Sequence, residues 1–126
     1  MQEGMLFHSL YDEQSRAYFE QASFTIHGQL DLERFQKSMD AVFERYEIFR
    51  TAFIYKNVAK PRQVVLKHRH CHVHFEDISH LNERDKEHCT EVFKEQDKSR
   101  GFDLQTDVLM RISILKWAPD RYVCIW

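Results

Sequence analysis

The most constraining feature of this sequence is a stripe of apolar residues at helical spacing. Its members recur three or four positions apart and are Leu32, Phe35, Met39, Val42, Phe43 and Tyr46. That spacing places the side chains on one face of an α-helix, and such a face must be buried against another element. Asp31 precedes the stripe and is the predicted N-cap, because its carboxylate can accept hydrogen bonds from the free N–H groups of the first turn. The rest of the chain must therefore supply a layer that covers this helix.

Strand-like segments supply that layer. Alternation and a high content of β-branched and aromatic residues predict strands over residues 18–27, 51–55, 63–67 and 72–78, and a hairpin of residues 109–117 and 121–126. Two further helices are predicted, a short one over residues 2–10 and a highly charged one over residues 82–100 that ends at Gly101. Because helices and strands follow in no regular alternation, we predict an α+β fold in one domain over residues 1–126.

Composition excludes several classes of protein. The chain has 126 residues, of which 43% are hydrophobic and 13% aromatic, so it can bury a core and is not a disordered segment. Its net charge of −2 offers no basic field to a nucleic acid. Cys71, Cys89 and Cys124 are odd in number and widely spaced, which argues against a disulfide framework or a zinc ribbon. Neither a signal peptide nor an apolar run of roughly 20 residues is found, so we predict a soluble, cytoplasmic protein without a membrane partner.

A run of histidines raises the question of a metal site. The histidines fall on alternate positions and are His68, His70, His72 and His74. One continuous strand would place them on one face, where His70, His72 and His74 could share a zinc ion. However, Lys67 and Arg69 add positive charge that opposes a cation. We therefore interpret the run as a polar sheet face with Val73 and Phe75 turned inward, and keep the metal site as an alternative.

No complete catalytic constellation can be read from the residues alone. A Gly-x-Ser-x-Gly motif is absent, and Gly4, Gly28 and Gly101 are isolated, so no phosphate-binding glycine loop is present either. Glu47 and Asp103 are the carboxylates nearest to apolar runs. Each could be a buried acid with a shifted pKa, or the partner of an arginine, and Asp103 could equally be a loop or N-cap residue.

Four segments of the chain resemble core motifs of one enzyme family. Residues 1–8 (MQEGMLFH) resemble the first core motif of the condensation domains of nonribosomal peptide synthetases. Residues 45–53 (RYEIFRTAF) resemble the second motif, commonly RHExLRTxF. Residues 101–104 (GFDL), with residues 109–111 (LMR) downstream, are similar to the PFDL element and its PLxRxxL continuation. Residues 121–126 (RYVCIW) resemble the strand that leads into the catalytic HHxxxDG motif.

The resemblance covers essentially the whole chain, with identifiable departures. Tyr46, Phe49 and Gly101 stand where the family usually has His, Leu and Pro. The HHxxxDG motif itself is missing and is expected directly after Trp126. The resemblance therefore implies no catalytic residue in this chain, and the fragment is expected to be inactive alone.

The family implies a fold and a reaction. The fold is a two-lobed one like that of chloramphenicol acetyltransferase, with helices packed on a mixed β-sheet and the active site in a tunnel between the lobes. Residues 1–126 would form most of the N-terminal lobe, a single partial domain whose partner is the missing C-terminal lobe. The implied reaction is amide formation between thioesters that phosphopantetheine arms tether to upstream and downstream carrier domains, beside an adenylation domain of the same megasynthase. No cofactor would bind to this chain directly.

The resemblance also assigns roles to residues of this chain. Arg50 matches the arginine that pairs with the aspartate of HHxxxDG and would brace the catalytic loop. Met5, Leu6 and Phe7 would line the mouth of the tunnel, with ordinary helix-to-core packing as the alternative. If the other lobe is absent, the last strands would lose neighbours and expose apolar edges, so we expect the chain to associate or exchange segments.

Three other functions stay open from the sequence. The chain could belong to an epimerisation or acyltransferase domain of the same fold, although its first motif favours condensation. It could be a non-catalytic lobe that binds carrier domains. The third alternative is the small histidine-strand metal binder described above.

Overall fold

Helices and strands follow one another in mixed order in the computed structural model, which describes residues 2–11 and 18–126. The helices are α1 (Gln2–Tyr11), α2 (Leu32–Arg45), a short 3-10 helix (Glu47–Arg50) and α3 (Glu83–Arg100). The strands are β1 (Ser23–His27), β2 (Thr51–Ile54), β3 (Arg62–Val65), β4 (Val73–Asp77), β5 (Ile112–Ala118) and β6 (Arg121–Ile125). Every predicted helix and strand is present, although β1, β4 and β5 begin later than their patterns predicted.

The strands form two separate sheets. The larger has four strands in the order β1-β6-β5-β4, in which only β4 and β5 pair in parallel, and β2 pairs with β3 in a two-stranded antiparallel sheet. This mixed sheet with its helices confirms the α+β prediction. The expectation that the last strands would lack neighbours is wrong, because β6 pairs on both sides and the edges of the larger sheet are β1 and β4. Self-association of the chain stays a prediction.

Helix α2 covers one face of the larger sheet, as its apolar stripe predicted. Asp31 is its N-cap, since its Oδ1 accepts a hydrogen bond of 3.0 Å from the Arg34 N–H. Phe43 is fully buried and packs with inward residues of the strands, among them Ile114 and Cys124. Tyr46 differs from the prediction because it lies beyond the end of the helix and is 49% exposed.

Helix α3 covers the opposite face. Asn82 caps its first turn by accepting a 3.0 Å hydrogen bond from the Asp85 N–H, and Gly101 ends it with a φ of 62°, a conformation that glycine adopts without a Cβ clash. Cys89 and Phe93 pack from this helix against Leu115. Among the described residues, no helix is both long and apolar enough to cross a membrane.

The histidine run does not form one continuous strand. Strand β4 begins at Val73, so it contains only His74 of the four histidines. The reason lies in α2, where the Gln36 side chain donates to the Cys71 carbonyl at 2.9 Å and accepts from the Val73 N–H at 2.9 Å. The side-chain amide of Gln36 thus forms the two main-chain hydrogen bonds that a neighbouring strand would otherwise provide. Val73 is buried as predicted, but Phe75 is 39% exposed, because β4 lies at the edge of the sheet.

Replacing Phe43 should reveal the main core. We expect Phe43→Ala to lower the free energy of unfolding by about 3–5 kcal/mol, because a fully buried aromatic ring leaves a cavity. Phe24→Ala is the matched control, since Phe24 is 50% exposed, and should cost about 1 kcal/mol or less. Denaturant unfolding followed by circular dichroism measures both. Equal losses in the two variants would contradict this assignment of the core.

The end of β4 carries a carboxylate that is strongly stabilised in its ionised form. Asp77 accepts hydrogen bonds from Ser79, including one of 2.9 Å from the Ser79 N–H, and lies 3.2 Å from the Lys116 ammonium. These contacts favour the ionised form and lower the pKa of Asp77 from 3.8 to about 2.

This carboxylate should contribute to stability at neutral pH and lose its contribution in acid. Since the folded pKa lies below the unfolded one, the contribution is complete above pH 3.8 and disappears as the pH falls towards about 2. We expect Asp77→Asn to remove that part of the acid limb of the stability profile, measured as the unfolding midpoint at a series of pH values. An unchanged acid limb would show that the carboxylate makes no such contribution.

Candidate functional site

An apolar cleft lies where α1, the ends of β1 and β6, and the GFDL segment meet. It has a volume of about 550 Å³. Its lining residues are Met5, Leu6, Tyr18, Phe19, Glu20, Gln21, Ala22, Phe53, Phe102, Leu104, Leu109 and Trp126. We call this space the apolar cleft. Only Tyr18 and Glu20 among these side chains can ionise, so the lining presents aromatic and aliphatic surface and is suited to bind apolar groups.

Main-chain hydrogen bonds hold the segments around the apolar cleft. Ala22 and Trp126 exchange two N–H···O bonds of 2.8 Å, which extend the β1–β6 pairing by one residue pair into the lining. The Phe53 N–H donates to the Leu104 carbonyl at 2.9 Å and joins the smaller sheet to the GFDL segment. Both sheets therefore contribute to one cavity.

One wall of the apolar cleft is aromatic. The rings of Phe19 and Phe102 stack with their centroids 5.5 Å apart. Arg111 lies against both rings, with its Cζ atom 4.1 Å from the Phe102 centroid and 5.8 Å from the Phe19 centroid. Sequence reasoning gave Arg111 no role beyond its place in the LMR segment. The sequence feature that could have pointed to Arg111 is that it is the single charged residue in the run from Val108 to Leu115.

The three residues predicted to line a tunnel mouth separate in the structure. Met5 and Leu6 line the apolar cleft, and Leu6 is 8% exposed. Phe7 is 62% exposed and stacks on Tyr11 at 5.8 Å instead. The helix thus turns one side towards the cleft and Phe7 away from it. A tunnel formed with a second lobe stays a prediction.

Arg50 ties α2 to the segment that follows β3 through carbonyl oxygens. Its Nε donates to the Phe43 carbonyl at 2.9 Å, and its Nη1 donates to the Leu66 and Lys67 carbonyls at 2.6 and 3.0 Å. Nη2 donates to the Glu44 carbonyl at 3.4 Å. Within residues 2–11 and 18–126, no carboxylate lies at ion-pair distance from this guanidinium. Its pairing with an aspartate of HHxxxDG therefore stays a prediction.

The histidines of the alternative metal site lie around a second cavity. His70, His72 and His74 line a space of about 520 Å³ together with Arg100 and Asp107. In the part of the chain that the structure describes, no group of three His, Cys, Asp or Glu side chains lies close enough to hold a metal ion. His74 stacks on Phe93 with centroids 5.5 Å apart, so packing explains its position.

The two candidate carboxylates are not buried. Glu47 and Asp103 are both exposed, so the alternative of a buried acid is wrong for each. Asp103 has the predicted loop role, because its Oδ1 accepts a 2.8 Å hydrogen bond from the Gln105 N–H. This bond from Gln105 is the main reason that the pKa of Asp103 is lowered. By contrast, burial raises the pKa of the Cys71 and Cys124 thiols, which disfavours their nucleophilic thiolate form.

Arg50→Lys tests the carbonyl contacts of Arg50. An ammonium cannot reproduce the planar fork that reaches both α2 and the segment after β3, so we expect the free energy of unfolding to fall by about 1–3 kcal/mol. Arg45→Lys is the matched control: Arg45 is exposed, and its replacement should change stability by about 0.5 kcal/mol or less. The bracing role predicts in addition that Arg50→Lys, made in a complete condensation domain, slows amide formation per folded molecule. Full stability and turnover in Arg50→Lys would contradict both roles.

Comparison with known proteins supports the motif resemblance. The family model of the condensation domain matches residues 1–126. The chain is 93% identical over 126 residues to one subunit of plipastatin synthase and 54% identical over 126 residues to another, both from Bacillus subtilis (strain 168). Each match covers 100% of this chain but only 5% and 4% of the respective relative. The chain therefore spans a small part of the length of these relatives.

A solved structure shows the same fold. The starter condensation domain of rhizomide synthetase RzmA matches with a TM-score of 0.84 at 17% identity, over 98% of this chain and 29% of that one. The likeness confirms the expected lobe, with its helices on a mixed sheet. Since the family model extends over the whole chain, this chain belongs to the condensation domain family.

Proposed function

We propose that this chain is part of a condensation domain that forms a peptide bond in a nonribosomal peptide synthetase. The amine of an acceptor aminoacyl thioester attacks the carbonyl carbon of a donor thioester. The C–N bond forms, the C–S bond breaks, the amine gives up a proton and the donor sulfur leaves as a thiol. Phosphopantetheine arms on carrier domains present both reactants, so this chain itself needs to bind no cofactor.

The observation that carries the proposal is the family match over all 126 residues. The identity of 93% to one subunit of plipastatin synthase supports it, because that match covers 100% of this chain. The apolar cleft supports it as well, since its aromatic and aliphatic lining suits an apolar part of a carrier-bound reactant. Within the proposal, the catalytic histidines lie outside residues 1–126.

The role of this chain in the proposed reaction is positioning. Holding two tethered reactants in attack geometry can supply about 7–11 kcal/mol of the barrier reduction, because a bimolecular step becomes effectively unimolecular. The apolar cleft would receive an apolar part of one reactant, and Arg50 would brace the catalytic loop. The second histidine of HHxxxDG would orient the amine or accept its proton.

The proposal also names partners and a compartment. The partners are an upstream and a downstream carrier domain, the adenylation domain of the same synthetase, and the C-terminal lobe that completes the tunnel. The odd and widely spaced cysteines favour a reducing compartment, and the compartment we propose is the cytoplasm. No nucleic acid or membrane takes part.

The proposed reaction can be tested on the intact synthetase that contains this chain. Its upstream carrier is loaded with an isotopically labelled aminoacyl group and its downstream carrier with a second amino acid. We expect mass spectrometry to find the label transferred to the downstream arm as an amide, with the upstream arm left as a free thiol. A replacement of the second histidine of the expected motif should abolish the transfer.

Other outcomes of this experiment select the alternatives. If the downstream carrier binds but both arms keep their own loads, the chain belongs to a non-catalytic carrier-binding lobe. Inversion at the Cα atom of a loaded residue without transfer identifies an epimerisation domain. Either result contradicts the proposed amide formation.

A further inference from the structure

The aromatic wall of the apolar cleft, formed by Phe19 and Phe102, packs against an arginine that does not itself line the cleft. Arg111 and Asp97 form an ion pair with 2.7 Å between Nε and Oδ1, and their side chains are only 19% and 15% exposed. Charged groups this deeply buried need several partners to offset the loss of hydration. The hydrogen-bond and ring contacts of Arg111 and Asp97 therefore show which segments this ion pair holds in place.

The guanidinium of Arg111 holds the carboxyl end of α3. Its Nη2 donates to the Asp97 carbonyl at 2.8 Å and its Nη1 to the Gly101 carbonyl at 2.5 Å. These carbonyls belong to the end of the helix, where main-chain oxygens lack helical partners and carry partial negative charge. The position of Gly101 is thereby fixed, and with it the start of the GFDL segment.

The face of the same guanidinium supports the ring of Phe102. The distance of 4.1 Å from the Arg111 Cζ atom to the Phe102 ring centroid is a close cation–π contact. The ring of Phe19 in turn stacks on the ring of Phe102, with the two centroids 5.5 Å apart. Unlike lysine, arginine can donate from the edge of a planar group and pack the face of that group on a ring at the same time. Lysine would keep the charge and lose this combination.

Asp97 connects the second segment of the wall. Its Oδ2 accepts a 3.2 Å hydrogen bond from Nε2 of Gln21, which also donates to the Lys94 carbonyl at 3.0 Å. Gln21 lines the apolar cleft two residues after Phe19. The ion pair therefore holds both segments that form the aromatic wall, residues 19–21 and 101–102.

We infer that Arg111, through its ion pair with Asp97, is a positioning residue that fixes the Phe19–Phe102 wall and so sets the size of the apolar substrate group that the cleft accepts. The inference rests on the proposed function for its substrate, an aminoacyl group on a carrier arm. The physical position of the wall is independent of that function.

The test uses the intact synthetase and three variants. Arg111→Lys removes the planar fork, and Asp97→Asn removes the charge of its partner while keeping the side-chain shape. Arg121→Lys is the matched control, because Arg121 also contacts a ring and a carboxylate, Trp117 at 4.5 Å and Glu83 at 2.9 Å, outside the apolar cleft.

Two readouts separate positioning from a merely structural role. Hydrogen exchange followed by mass spectrometry reports on residues 19–22 and 101–104. We expect exchange about tenfold faster in both segments in Arg111→Lys and Asp97→Asn, the change that follows from losing one charge-assisted hydrogen bond, and no change in Arg121→Lys. Steady-state kinetics compares phenylalanyl with alanyl groups, once on the donor carrier and once on the acceptor carrier.

The inference predicts a change in discrimination rather than a uniform loss. On one of the two carriers, the ratio of kcat/KM for phenylalanyl over alanyl should change about tenfold in Arg111→Lys and Asp97→Asn, mainly through KM. Unchanged ratios on both carriers, or unchanged exchange in both segments, would overturn it. If the unmodified synthetase forms no amide, the proposed function is wrong. The hydrogen-exchange experiment then still tests whether Arg111 and Asp97 fix the position of the aromatic wall.

Discussion

The fold depends on the burial of β5 on both of its faces. Ile114 and Leu115 are neighbours in this strand, point to opposite sides of the sheet and are both fully excluded from solvent. One face must therefore be covered by α2 and the other by α3, and the strand must have partners on both edges. β6 and β4 are those partners.

The apolar cleft arises at the margin of that arrangement. The pairing of β1 with β6 extends to Ala22 and Trp126, which both line the cleft, and residues 18–21 continue the lining from Ala22. The GFDL segment completes the space, because Gly101 ends α3 and Arg111 holds the turn that follows. The cleft is thus built from segments whose positions are fixed by the core and by one largely buried ion pair.

Patterns along the chain predicted most of the fold. The stripe around Phe43 and the cap at Asp31 identified α2, and β-branched alternation identified the strands, because both patterns reflect which side chains are buried. The contacts of Gln36 with the main chain at the start of β4 were not predictable, since Gln36 is far away in sequence. The role of Arg111 was hidden for the same reason: its partners become neighbours only after α3 and β5 have packed together.

The central claim is that the apolar cleft receives an apolar group of a carrier-bound reactant. The most direct measurement is photocrosslinking in the intact synthetase, with a diazirine-bearing analogue of leucine loaded on the donor carrier in one sample and on the acceptor carrier in another. After irradiation, peptide mapping by mass spectrometry locates the attached group. The account predicts crosslinks to cleft residues such as Phe102, Leu104 or Trp126 from one of the two carriers. Crosslinks from both carriers that map only outside the lining of the cleft would contradict it.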